Sequence, residues 1–208
     1  MSGSVDRLDW ACPGILPVLN MQAVRCALRA GKLLKADISE SLVFDRKHYK
    51  YHDLPLGYQI TQKRLPFAKN GILKLLSLNR EYPIRHLQLE QDTGKTIDGK
   101  VDLRRAGNAL IELVTDPIFT DIQDAQLFCW GLVRVLRDDE GITEGKLEEG
   151  QVRFDVNVSD CDLVNYGKVE IKNLNSYKFI DTAIQRLQEH CHVTGKTFGF
   201  DQRSQSLF

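Results

Sequence analysis

A chain of 208 residues, 42% of them hydrophobic, is long enough to bury a substantial core as one large domain or two small ones. Its 28 basic and 28 acidic residues cancel, which excludes the bulk positive field that announces a nucleic-acid binder and leaves only local basic patches. The five cysteines, at positions 12, 26, 129, 161 and 191, are odd in number and lack CxxC spacing, so neither a disulfide framework nor a zinc site is indicated; they read as reduced thiols in an intracellular compartment. No apolar run approaches the roughly 18 residues of a membrane span, and Asp6 and Asp9 make the start a poor signal or transit peptide.

Asn20 is placed to cap a helix reaching about Lys35, with Ala23, Val24, Ala27, Leu28 and Leu34 on one side. From Leu42 to Glu112 the texture turns to short β-like runs, SLVFDRKHYKY, GYQITQ and YPIRHLQLEQ, with turn signals at Asn70-Gly71 and Asp98-Gly99. ALIELV extends this region, and the Asp116-Pro117 pair breaks it. Asp121 to Arg137 then resumes a helical period, with Ala125, Phe128, Cys129, Leu132, Val133 and Leu136 on one face.

In QVRFDVNVSD, Val152, Phe154, Val156 and Val158 alternate strictly with Arg153, Asp155 and Asn157. Val169 and Ile171 repeat the pattern with Lys168, Glu170 and Lys172 opposite, so the two segments read as a hairpin-like pair. A helix from Ser176, periodic through Phe179, Ile180, Ala183, Ile184 and Leu187, runs to about Cys191 and stops before Gly195. The tail TFGFDQRSQSLF shows no clear period. The predicted class is α+β, a largely antiparallel or mixed sheet covered by helices. Residues 1–12 form an irregular start, 13–192 the domain, and 193–208 an irregular tail.

The strand pair around Arg153 and Glu170 presents Arg153, Asp155, Asn157, Lys168, Glu170 and Lys172 on one surface. That surface is either the wet face of a half-buried sheet or a mixed-charge cradle for a phosphate-bearing or zwitterionic ligand. Glu90, Asp92, Glu112 and the Glu148-Glu149 pair supply the carboxylates that a hard cation such as Mg²⁺ shares with phosphates. Glu112 is the oddest of them. Inside the apolar ALIELV run an unpaired charge is costly to bury, so it points at a cation or a partner, or else lies at an edge facing water. The bases and aromatics of FDRKHYKYHDLPLGYQITQ, among them Arg46, Lys47 and Tyr58, suit a phosphate backbone or a stacked base; a solvated strand and turn has the same composition. His48 and His52 give only a weak metal signal. GxxxxGK(S/T), GxGxxG and GxSxG are absent, leaving P-loop, Rossmann and hydrolase-elbow mechanisms unsupported.

Taken in order, PGILPVLN, VFDRKHYKYHDLPLGYQITQ, LQLEQDTGK, RRAGNALIELVTDP, EEGQVRFDVNVS and VEIKNLNSYKF closely resemble the GatB-type subunit of the glutamyl-tRNA(Gln)/aspartyl-tRNA(Asn) amidotransferases, over residues 13 to 190. The resemblance implies a catalytic cradle domain, using ATP and Mg²⁺ to phosphorylate the side-chain carboxylate of glutamate misacylated on tRNA(Gln). Ammonia released from glutamine by the A-type amidase subunit then displaces the phosphate, with the small C-type subunit as a further partner. It also implies that Glu112 matches the family's metal-binding acid in I-E-I/L-V. The second such acid belongs to L-E-E-D, where Gln91 stands here, so Glu90 or Asp92 would have to compensate. Arg153, Asp155, Glu170 and Lys172 fall on cradle positions, and Arg46, Lys47 and Tyr58 are the candidates for holding the nucleotide.

The LEQD and FDRKHY forms are more similar to mitochondrial than to bacterial members, which implies the mitochondrial matrix, or the cytoplasm for a bacterial source. Three departures accompany the resemblance: the family's first strand, with a glutamate and a histidine of its metal site, lies upstream of this chain; the paired cysteines of the bacterial zinc site reduce to Cys12; and the helical and tail domains that grip tRNA lie beyond Phe208. The expectation is a partial cradle, inactive by itself; the alternative is a non-catalytic paralogue or truncated scaffold that binds the partner subunits.

Overall fold

The computed structural model describes residues 5–138, 142–160, 169–191 and 196–204, so that Cys161, Lys168 and Gly195 lie outside the described residues. Three helices, α1 (Met21–Leu33), α2 (Ile122–Asp138) and α3 (Tyr177–Cys191), pack on one face of a seven-stranded sheet. Its strands are β1 (Asp37–Ile38), β4 (Ala68–Leu75), β5 (Arg80–Gln91), β8 (Ala109–Thr115), β9 (Val152–Asp160), β10 (Val169–Leu174) and β11 (Lys196–Ser204). Their order is β1-β4-β5-β8-β11-β9-β10, and every pairing is antiparallel. Two small hairpins stand apart: β2 (Asp45–His48) with β3 (Tyr58–Thr61), and β6 (Lys95–Ile97) with β7 (Lys100–Asp102). The expected α+β class and antiparallel sheet are what the chain forms.

The helices follow their sequence signals. Asn20 Oδ1 accepts the amide of Gln22 at 2.9 Å and caps α1, satisfying one of the donors a helix start leaves open. Small residues Ala23, Ala27, Ala30 and Gly31 bring this helix close to the sheet; a Cβ on Gly31 would lie 2.5 Å from Ile38 Cδ1. Helix α2 buries the predicted stripe, and Phe128 meets Phe119 and Tyr82 with ring centroids 5.1 and 5.4 Å apart. Each such ring removed from water contributes about 1.5–3 kcal/mol. Among the described residues no helix is long and apolar enough to cross a membrane.

Strand phase decides what each sheet face carries. Tyr82 and Ile84 of β5 face the core, and so do Leu87 and Leu89, an odd separation that a regular strand cannot give. A bulge supplies it: Ile84 pairs Thr115 and His86 pairs Val114, leaving Arg85 as the extra residue. On β4 the buried set changes phase at the same level, from Ala68 to Gly71 and Leu73, through Asn70 in a left-handed conformation (φ 54°). Asn70-Gly71, read from sequence as a turn, is therefore a kink inside β4. The reversal lies at the short 3-10 segment Leu76–Leu78 and left-handed Asn79. Both kink and turn need positive φ, which is why the dipeptide misled. Asp98-Gly99, positive at both residues, does close β6 onto β7 as expected.

The segment from Lys196 to Ser204 corrects the irregular tail. It is β11, inserted between β8 and β9. The mixture of Phe, Gly, Asp, Gln and Arg in KTFGFDQRS is too short and too interrupted to register as a period.

Candidate functional site

The face of the sheet away from the helices is polar, and the β2–β3 hairpin arches over it to enclose a cleft of about 1040 Å³. Its floor comes from alternate residues of β5 and β8: His86, Gln88 and Glu90 beside Glu112 and Val114, while Leu87, Leu89, Ile111 and Leu113 point to the core. Register places Gln88 directly across from Glu112. Gln88 Nε2 donates to Glu112 Oε2 at 2.8 Å and to Glu90 Oε1 at 3.0 Å, and Thr61 Oγ1 of the hairpin donates to the same Glu90 oxygen at 2.6 Å. Glu90 is 5% and Glu112 6% exposed, and Glu90 Oε2 is buried with no hydrogen-bond partner. Fully buried Gln62 fixes the roof, accepting from Leu89 N at 2.9 Å and donating to Val43 O at 3.4 Å.

Above these acids the rim is basic. Arg46, Lys47, His48, Lys63, Arg64 and Arg85 all line the cleft. Arg64 is neutralised by Asp45, whose carboxyl is held below its usual range by the Arg64 backbone amide and guanidinium, and Arg85 Nη2 pairs with Asp116 at 2.5 Å. Arg46 lies over the Tyr58 ring, 4.5 Å from its centroid, and Lys47 lies over Tyr49 at 5.8 Å. Such stacking leaves the cationic heads able to take an anion from the cleft side. Arg46 and Lys47 thus present their cations at the cleft rim; Tyr58 supports Arg46 and does not line the cleft.

Of the predicted metal set, Glu90 and Glu112 come together and Gln91 does not join them. As the next residue of β5, Gln91 faces away, and its carbonyl accepts Gln59 Nε2 at 2.6 Å. Among the described residues no group of three or more His, Cys, Asp or Glu gathers as a metal centre. Two carboxylates and the oxygen of an adjacent amide nevertheless fit a hard cation that completes its shell with water and phosphate, and the unpartnered Glu90 oxygen has an electron pair left for such a cation or for a hydrogen-bond donor.

The strand pair divides by role. Glu170 and Lys172 form an exposed ion pair at 3.1 Å on edge strand β10. That strand is three steps from β8, or roughly 14 Å at normal strand spacing. Asp155, 2% exposed, accepts the backbone amide of left-handed Asn173 at 2.7 Å and so holds the bulge of β10. Arg153 donates to Asn173 Oδ1 at 2.8 Å and reaches Asp92 at 3.9 Å.

Asp92 also has Arg105 Nε at 3.6 Å. Burial raises its carboxyl above the usual range despite the pull of Arg153 and Arg105. Lys95 completes this second cluster; burial, then the two guanidiniums, lower its ammonium from the ordinary lysine range. Gln88, Thr61 and Gln62 were missed from sequence, although the HLQLE alternation sets Gln88 on the Glu90 face. Lys95 and Arg105 gave no local signal, because β9 and the loop before it bring them their neighbours from some 45 residues away.

Comparison with known proteins agrees with this geometry. The family model described as the GatB/GatE catalytic domain matches residues 2–207. The mitochondrial glutamyl-tRNA(Gln) amidotransferase B subunit of Laccaria bicolor is 41% identical over 96% of this chain and 42% of its own length. The aspartyl/glutamyl-tRNA(Asn/Gln) amidotransferase B subunit of Wolbachia sp. subsp. Brugia malayi is 43% identical over 86% of this chain and 39% of its own. For the mitochondrial B subunit of Kluyveromyces lactis the figures are 42%, 85% and 34%. The chain therefore spans about two fifths of the length of these relatives, and its near-complete match to the family model shows that it belongs to the GatB/GatE catalytic domain family of amidotransferase subunits.

Proposed function

We propose that this chain is the nucleotide- and cation-binding cradle of the B subunit of a tRNA-dependent amidotransferase. That enzyme converts glutamate misacylated on tRNA(Gln) to glutamine with ATP, Mg²⁺ and ammonia from glutamine. The carrying observation is the pairing of Glu90 and Glu112, both buried and with one oxygen unpartnered, beneath a rim of Arg46, Lys47 and Lys63. Phosphoryl transfer depends mainly on positioning and charge neutralisation, so acids that hold a cation beside bases that hold phosphates are the parts it needs.

Bound Mg²⁺ would screen the phosphate oxygens against one another. The chain's own work is separate from that. Gln88 orients both carboxylates, Thr61 ties the roof to Glu90, and Arg46 and Lys47 attract the polyphosphate. Partners of this reading are the A-type amidase subunit, the small C-type subunit, and glutamyl-tRNA(Gln). Its place is the mitochondrial matrix, by likeness to organellar relatives, or the cytoplasm of a bacterium.

The experiment grafts residues 2–207 into the full-length Kluyveromyces lactis protein, in place of the matching segment. The chimera is co-expressed with the proposed A-type and C-type partners and supplied with ATP, Mg²⁺, ammonium and glutamyl-tRNA(Gln). Mass spectrometry of the aminoacyl group should find glutamine. A chimera that assembles with both partners yet leaves only glutamate on the tRNA would replace this reading with the scaffold one.

A further inference from the structure

We propose that an apolar pocket adjoining the cleft, edged by Gln91, seats a purine base. β4 flanks β5 only as far as Leu87, which pairs with Ala68. Past that point the β2–β3 hairpin and residues 16–20, which lead into α1, close around the last residues of β5 and leave a cavity of about 380 Å³. Its walls are Leu16, Val18, Leu19, Phe44, Ile60 and Leu89. A small volume lined by aliphatic and aromatic side chains with few polar groups suits one ring system. Val18 is 90% and Leu16 66% exposed, so the pocket is reached from solvent.

Two features single out a nucleotide base. The first is continuity: the pocket and the cleft share Asp45, Arg46 and Glu90. An apolar compartment joined at one arginine to a basic one matches the division of a nucleotide into a flat ring and its phosphates. On this point the inference rests on the phosphate reading of the cleft.

The second is Gln91. It lies two residues from Leu89 on β5 and shares its face, and Ala109, its partner on β8, lines the pocket as well. The backbone carbonyl of Gln91 is taken by Gln59 Nε2, but its half-buried side-chain amide makes no hydrogen bond among the described residues. A primary amide sets an acceptor and a donor side by side in one plane, the complement of adenine N6–H and the ring nitrogen beside it. An aliphatic occupant would use neither. The same base chemistry has two sources, free ATP and the 3′-terminal adenosine of an RNA.

Titration calorimetry on the whole chain, with Mg²⁺ present, separates ring from phosphates. Gln91→Leu should weaken ATP binding about tenfold or more and change tripolyphosphate binding less than about twofold. Gln91→Glu should shift the ratio of ATP to GTP affinity toward GTP by about tenfold, since a carboxylate accepts both N1–H and N2–H of guanine but opposes a ring nitrogen of adenine. The ratio cancels any effect of the new charge on phosphates or cation. Both variants should melt within a few degrees of the parent, because this side chain holds nothing else. Equal losses of ATP and tripolyphosphate in Gln91→Leu, an unmoved ratio in Gln91→Glu, or variants that melt far below the parent overturn the pocket. Adenosine, which has no phosphate, keeps the two readings apart. Adenosine binding that weakens in Gln91→Leu upholds the pocket, and a failure of tripolyphosphate to bind at all then sinks only the cleft reading. Competition against adenosine by ATP and by a short RNA ending in adenosine identifies the source.

Discussion

Glu112→Gln separates a carboxylate kept for a cation from one kept for the fold. A single amide, Gln88 Nε2, bridges Glu90 and Glu112 at 3.0 and 2.8 Å. Two ionised oxygens sharing one donor stand roughly 5 Å apart, where like charges at an effective dielectric of about 20 repel by about 3 kcal/mol. The neutral amide between them offsets only part of this. Glutamine has nearly the same volume and its carbonyl still accepts from Gln88, so packing and hydrogen bonding survive while the repulsion goes. Glu112 keeps further contacts that the amide partly retains, so the change without metal is expected to stay within about 2 kcal/mol, or a few degrees in melting temperature for a chain of this size. Millimolar Mg²⁺ should raise the parent's melting temperature and leave the variant's where it was, because the hard-cation donor pair is broken. Thermal melts of both chains in EDTA and in Mg²⁺ decide the matter. A variant that melts lower than the parent in EDTA and keeps its Mg²⁺ response would refute the reasoning, and Glu112 would then be a structural hydrogen-bond acceptor.

Gly131→Ala places a Cβ 2.5 and 2.7 Å from the two methyl carbons of Leu75, so Leu75 must repack or α2 must lift from β4; urea denaturation should show a loss of about 1–3 kcal/mol. Asp155→Ala strands the Asn173 amide that now bonds Asp155 at 2.7 Å, costing about 1–3 kcal/mol in the same assay. Asp155→Asn, which keeps an acceptor oxygen, should recover most of that loss. Stability should also follow pH through the second cluster. Lys95 is lowered in the fold, so between its folded value and the ordinary lysine range the unfolded chain binds more protons, and stability climbs as pH rises through that window. Asp92 is raised, which makes its contribution greatest in acid and lost as pH climbs from the ordinary carboxylate range through its folded value. Chemical denaturation at stepped pH should show both limbs, and Lys95→Gln should flatten the alkaline one while raising Asp92 further and so steepening the acid one.

Local signals were legible where a single element carries them. Asn20 before an apolar period, the α2 stripe and the Val152, Phe154, Val156, Val158 alternation each describe one element's own buried face, which a period reports directly. Glu112 stood out for the same reason, as a charge whose apolar neighbours along the strand face the other way. What the sequence could not show is assembly between strands. Gln91 read as a companion of Glu112 because the resemblance puts it where the family's second metal-binding acid stands, but pleating sends residues 90 and 91 to opposite faces. Glu170 and Lys172 read as companions of Arg153 because their strands are neighbours. The insertion of β11 between β8 and β9 moves that whole pair away from Glu112. Asp92, Arg105 and Lys95 were scattered by sequence and gathered by the sheet.

The β5 bulge ties the core to the cleft. From Tyr82 and Ile84 an unbroken strand would carry residues 86, 88 and 90 onto the helix side, burying Gln88 and Glu90 against apolar side chains and turning Leu87 and Leu89 out to solvent. One extra residue reverses all of these at once. Asn70, left-handed at the matching level of β4, lets the neighbouring strand change phase too while its pairing with β5 stays in register. The extra residue itself, Arg85, turns to the rim and pairs with Asp116, just past the end of β8. A bulge costs one ladder contact, and mispairing would expose two buried leucines and bury one unpaired carboxylate in the core, so the phase change is strongly specified. The YPIRHLQLE run thus encodes two instructions: before Arg85 it builds the apolar floor under α2, and after it the acid pair that faces the basic rim.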